Sequence, residues 1–148
     1  MTEKNATVHW EGSGKNGEGR ISTDTAALKN YPYGFASRFG DDNSKTNPEE
    51  ILAAAHAACF TMAFSFACAK AGFETAIVNT QATVRLSEHH EGFVIDRIVL
   101  TMHAEVPGID VDRFQEIAQA SKTDCPLSKA LAGVPEITLE ATLQRLSP

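Results

Sequence analysis

At 148 residues the chain has the length of one domain, enough to bury roughly 70% of the surface its unfolded form would expose. Its 13 Lys and Arg against 19 Asp and Glu give a formal net charge of −6 with no basic cluster, which excludes the electrostatic footprint of a nucleic-acid binder. The opening residues Met1 to Ala6 are polar where a secretory signal would be basic and then apolar, so the expectation is a cytoplasmic protein. In that reducing compartment three cysteines are a poor disulfide framework and shift attention toward thiol chemistry.

In chain order, Ala6 to Gly12 and Arg20 to Asp24 read as two strands joined through the Gly-rich stretch Gly12 to Gly19, a hairpin rather than a phosphate-binding loop. Tyr31 to Phe39 is aromatic-rich and broken by Pro32 and Gly34, and is expected as a short strand or ordered loop. A helix then starts at an Asn47 cap, with Pro48 in its first position and Glu49 and Glu50 in its first turn, and stops at Gly72. Strands over Thr75 to Leu86 and Phe93 to Val106 form a second hairpin. Asp110 caps a helix that puts Phe114, Ile117, Ala118 and Ser121 on one face. Pro126 opens a short helix to Leu131, and Ile137 to Leu143 alternates as a final strand. The whole reads as one α+β domain over residues 1–148, with antiparallel sheet and no internal repeat.

The helix after Asn47 carries no charge from Ile51 to Ala69, about long enough for a bilayer. Five alanines before Cys59, with His56, Thr61 and Ser65, lower its hydrophobicity, and neither a second apolar segment nor a flanking basic cluster accompanies it. A helix apolar on all sides is instead expected to be buried on all sides, with no membrane partner.

Three cysteines are candidates for chemistry. Helical spacing puts Cys59 on one broad face with Leu52, Ala55, His56, Met62, Ala63 and Phe66, an apolar setting that suits a core cysteine and would raise the pKa of a reactive one unless a cation came from elsewhere. Cys125 precedes Pro126, where helix N–H groups would favour a thiolate, or where it simply caps the turn. Cys68 lies on the opposite face from Cys59, about 13.5 Å along the axis, and reads as packing. Arg38 and Arg20 are the guanidinium candidates, and Glu49 could orient one of them by a bidentate pair. Glu49 is ten residues before Cys59, about 15 Å along a straight helix, so it serves that cysteine only if the helix breaks or a second subunit supplies it. His56 is a second possibility, as the base of a Cys-His hydrolase. No Cys-x-x-Cys or His-Glu-x-x-His occurs, so no metal is expected.

The segments His9 to Gly12, Tyr31 to Phe39, Thr46 to Phe60, Val106 to Asp110 and Asp124 to Pro126 together resemble the OsmC/Ohr family, and within it the OsmC branch. The resemblance implies an intertwined homodimer with antiparallel sheets around a long buried central helix and a second helix, acting as a thiol peroxidase on hydroperoxides, organic ones especially. It assigns Cys59 as peroxidatic, Cys125 as resolving, and Arg38 as the group that stabilises thiolate and peroxide. Glu49, from the partner subunit, orients the arginine. Arg20 is the weaker alternative, because the Ohr branch draws its arginine from an earlier segment. That branch also has Tyr in place of His56, which weighs against an essential base there. Met62, Phe66 and Phe39 are expected to line the substrate pocket. No cofactor is implied, and an external dithiol of lipoyl type is the expected reductant.

Overall fold

Gly12 and Gly14, at φ +90 and +46, turn the chain back after Trp10, and the two glycines that follow leave room for aromatic rings. In the computed structural model, which describes residues 1–145, a Cβ at Gly17 would run into the Trp10 ring and one at Gly19 into the Tyr33 ring. Strands β1 (Ala6–Glu11) and β2 (Glu18–Thr23) therefore pair closely, Ala6 opposite Thr23 and Glu11 opposite Glu18, around a 3-10 turn at Gly14–Asn16. Strand β3 (Tyr31–Tyr33) adds to β2, giving an antiparallel sheet in the order β1-β2-β3. Trp10 and Tyr33 meet over it at 5.7 Å between ring centroids.

The aromatic segment is more structured than the expected strand or loop. After β3 the backbone extends through Gly34 and winds into a short helix, α1 (Phe35–Phe39). Ser37 accepts from the Gly34 N–H and donates to the Thr46 carbonyl at 2.7 Å, while the Asn47 side chain donates to the Ser37 carbonyl. Those bonds tie α1 to the start of α2 (Pro48–Lys70), where Asn47 accepts from the Glu50 N–H at 2.7 Å as the helix cap. The chain divides into two compact units, and these elements as far as Ile51 make up the first.

The second unit, from Leu52 onward, is built on α2 and a mixed sheet. Strands β4 (Ile77–His89) and β5 (Gly92–Glu105) form the second hairpin, antiparallel and longer at its tip than expected, with a two-residue turn and a register shift at Arg85/Leu86. Gly92, at φ +116, supplies the backbone conformation the turn needs. Strand β6 (Glu136–Leu143) runs parallel to β5, with Ile98 opposite Ile137 and Leu100 opposite Leu139, which corrects the expectation of a wholly antiparallel sheet. The reason is the connection: α3 (Val111–Asp124) and α4 (Pro126–Ala130) cross over between β5 and β6, and such a crossover returns a strand parallel.

On α2 the buried side chains recur every fourth residue, His56, Phe60, Phe64 and Cys68. Phe60, Phe64 and Cys68 pack with Leu100, Met102 and Ala104 of β5, with Phe114, Ile117 and Ala118 of α3, and with Cys125. Phe64 meets Phe114 edge to face at 5.6 Å. Full burial of one such ring is worth roughly 1.5–3 kcal/mol. The face carrying Met62 and Phe66 is exposed, so within one chain α2 is covered along one side rather than all round. By length and composition α2 is the one helix among the described residues able to cross a membrane, yet its buried stripe belongs to the protein core.

Candidate active site

Within the second unit the fold brings two distant sulfurs together. Pro126 disfavours helical geometry at the residue before it, so Cys125 adopts φ −55, ψ 128 and breaks the chain between α3 and α4. Its N–H still closes α3 on the Ser121 carbonyl, and its carbonyl accepts the Lys129 N–H of α4. This places the Cys125 Sγ 3.0 Å from the Cys59 Sγ, both cysteines being free thiols. A disulfide needs about 2.0 Å, so a small approach joins them. Cys59 is partly accessible whereas Cys125 is fully buried.

Burial pushes the Cys59 thiol above its ordinary value of 9.0, the neighbouring Cys125 reinforces that shift, and the Leu127 N–H opposes it. The free N–H groups at the start of α4, expected to serve Cys125, thus include one aimed at Cys59. No cationic side chain of the described residues contributes to lowering this pKa. His56, one turn before Cys59, bonds through Nε2 to the Ser128 Oγ at 2.8 Å rather than to a sulfur, and burial pushes its imidazole below 6.5. Cys68 is buried in the core, its thiol pushed up to about 11 by desolvation.

The first unit holds a second prepared group. Arg38, in the last turn of α1, donates from Nε to both Glu49 carboxylate oxygens at 3.0 and 3.2 Å and from Nη2 to Oε1 at 2.7 Å. Glu49 is buried in the first turn of α2, while the guanidinium is more than a third exposed and lies over the Phe39 ring at 5.1 Å. Arginine and carboxylate of the same chain therefore form one hydrogen-bonded pair. α2 is unbroken from Pro48 to Lys70. Arg20 lies exposed on β2, where its charge acts on Glu11.

Ser37, Thr46 and Asn47, which seat α1 against the helix start, and Ser128, which holds His56, were not singled out as site residues from sequence. Only Asn47 carried a sequence signal, as a helix cap. Met62, Phe66 and Phe39 are all exposed. A cleft of about 180 Å³ between α2 and α3, lined by Ala63, Ala67, Ser121 and Asp124 among others, flanks the turn that bears Cys125. A larger cavity of about 740 Å³, along Val106 to Val111 and Leu143 to Arg145, is lined by neither cysteine. Among the described residues, no three His, Cys, Asp or Glu side chains gather as a metal site would.

Residues 40–140 match the family model described as OsmC-like protein. The chain belongs to the OsmC family. It is 44% identical to Peroxiredoxin OsmC of Escherichia coli over 141 residues, covering 95% of this chain and 96% of the relative. It is 31% identical to an organic hydroperoxide resistance protein of Xanthomonas axonopodis, covering 90% and 92%. Among solved structures, the organic hydroperoxide resistance protein OhrB of Bacillus subtilis superposes with a TM-score of 0.67 at 25% identity, covering 95% of this chain and 98% of that one. The α+β architecture described above is the OsmC/Ohr fold.

Proposed function

We propose that this OsmC-family protein is a cysteine peroxidase that reduces organic hydroperoxides, and hydrogen peroxide less well, in oxidative and osmotic stress defence. The observation that carries the reading is the 3.0 Å contact between a partly accessible Cys59 and a buried Cys125. The Cys59 thiolate attacks the distal oxygen of the hydroperoxide, the O–O bond breaks, and the alkoxide takes a proton to leave as an alcohol. Cys59 is left as a sulfenic acid. The Cys125 thiol condenses with it, forming the Cys59–Cys125 disulfide and releasing water. An external dithiol, of lipoyl type by family resemblance, then attacks the accessible Cys59 sulfur and expels Cys125 as the leaving group.

A thiol whose pKa is raised by burial needs a cation, and Arg38 is that cation in this reading, with Glu49 holding the guanidinium so that it can stabilise the thiolate and donate to the peroxide. Because α2 is unbroken, the second subunit is the remaining way for Glu49 to serve Cys59, and the hydrogen-bonded pair means that Arg38 comes with it. A two-fold dimer also covers the apolar α2 face, with Met62, Phe66 and Phe39 lining the substrate pocket at the subunit interface. The family match runs from residue 40 to residue 140 across both compact units, which supports one OsmC-like domain over residues 1–148. In this reading the protein acts in the cytoplasm.

The test is one equivalent of cumene hydroperoxide added to reduced protein, followed by digestion without reductant and peptide mapping. The expected product is a single crosslink between the Cys59 and Cys125 peptides. Unchanged free thiols, or a crosslink through Cys68, would sink the reading.

A further inference from the structure

Helix α4 has only five residues, too short to hold its shape through its own hydrogen bonds, yet the Cys125 sulfur at its start is held 3.0 Å from Cys59. A second bond runs beside the sulfur contact. His56 stands three residues before Cys59 on α2, Ser128 stands three residues after Cys125 on α4, and the two side chains meet at 2.8 Å. A three-residue offset on a helix is one turn on the same side. The imidazole–hydroxyl bond therefore links the same two helices one turn away from the sulfurs. It is sheltered, His56 being fully buried and Ser128 nearly so.

The imidazole is unsuited to act as a base. Among the described residues its Nδ1 is buried with no hydrogen-bond partner. Protonation would thus bury a charge on a ring whose Nδ1 has no partner to share it, which is costly in such a setting. A neutral ring that bonds only Ser128 acts as a fixed strut.

We propose that the His56–Ser128 bond is a clasp that fixes α4 on α2 and so positions Cys125 to condense with the Cys59 sulfenic acid; His56 and Ser128 are positioning residues for resolution rather than for peroxide attack. The inference rests on the Cys59–Cys125 mechanism proposed above. In the step concerned, the Cys125 sulfur attacks the Cys59 sulfur, the S–O bond breaks as the S–S bond forms, and the thiol proton leaves with the hydroxide as water. Where the clasp is lost, the sulfenic acid waits longer and meets a second peroxide, which oxidises it to sulfinic acid.

The experiment separates the two steps in Ser128→Ala, His56→Asn and the double variant. Each protein is mixed with one equivalent of cumene hydroperoxide, the sulfenic acid is trapped with dimedone at increasing delays, and the disulfide is followed by non-reducing mass spectrometry. Sulfenic acid formation is expected to stay within about threefold of the parent, while disulfide formation slows about ten- to a hundredfold, the scale of a displacement near 1 Å. Cys59 sulfinic acid should rise with excess peroxide. The double variant should be no slower than either single one, and Ser128→Thr, which keeps the hydroxyl, should recover most of the rate. An unchanged disulfide rate overturns the clasp, as does equal slowing of both steps or loss of the fold in both single variants. Failure of the parent to form a Cys59–Cys125 disulfide would instead overturn the mechanism beneath it.

Discussion

The thiol-bearing unit and the arginine-bearing unit are prepared in opposite ways. Around Cys59 the chain supplies a second sulfur, a buried core and one helical N–H, so the thiol is positioned while its pKa is pushed up. Around Arg38 it supplies a carboxylate held by three hydrogen bonds, leaving an exposed and already oriented guanidinium. One region has the nucleophile without the charge that activates it, and the other has the charge without a nucleophile. Geometry and electrostatics are thus built by separate stretches of this chain.

The most severe way to break the first region is Cys59→Ser, which should lower dithiol-dependent peroxide consumption by at least about a thousandfold, since the two cysteines that remain are buried. Residual activity near the parental level would end the assignment. Breaking the second region comes next: Arg38→Lys loses the bidentate fork and should cost about a hundredfold in kcat/KM. In that variant the pH at which Cys59 becomes half-alkylated by iodoacetamide should rise, because an ammonium that Glu49 no longer holds in a bidentate fork offsets the raised thiol pKa less fully; below it the neutral thiol reacts slowly. Stability should fall by less than about 1 kcal/mol, as the guanidinium is more than a third exposed and solvent screens the pair.

Whether the two regions meet within a chain or between chains is decided by mixing. Cys59→Ser and Arg38→Met chains, each inactive alone, should regain about a quarter of parental activity when refolded together. Half of random dimers are mixed, and each mixed dimer has one intact site if the arginine crosses over. No recovery would place both groups of a site in one chain.

Smaller effects sharpen the contrast in packing. Gly19→Ala should cost about 1–2 kcal/mol in urea unfolding, because Tyr33 must leave the space above the glycine, while Cys59–Cys125 disulfide formation continues. Cys68 gives the least effect at neutral pH. Its folded-state pKa of about 11 lies above the ordinary 9.0, so the folded state binds the proton more tightly. The stability this gives is present in full below pH 9 and declines between about 9 and 11, by at most about 1.4 kcal/mol per pH unit. Cys68→Ala should flatten that slope, and a slope unchanged in the variant would assign it to other groups.

Much of this was legible in residue order. The Asn47-Pro48-Glu49 helix start, the Asp110 cap and the buried face Phe114, Ile117, Ala118 and Ser121 are local events, governed by capping chemistry and helical periodicity, and all stand in the structure. The helical conformation of Arg38 was not legible, because α1 depends on Ser37 reaching the Thr46 carbonyl nine residues away. Nor was the parallel direction of β6, which follows from two helices crossing over before it.

By itself the sequence determined the long helices and the main strands, the all-round apolar α2 and the family resemblance that singled out Cys59, Cys125, Arg38 and Glu49. Only tertiary structure decided that the two sulfurs stand 3.0 Å apart, that Glu49 holds Arg38 of its own chain, and that His56 bonds Ser128. The physical reason is range. Periodicity and capping are set by neighbours within a few residues, whereas each of these contacts depends on a chain break or turn that aims a side chain at a partner far along the sequence.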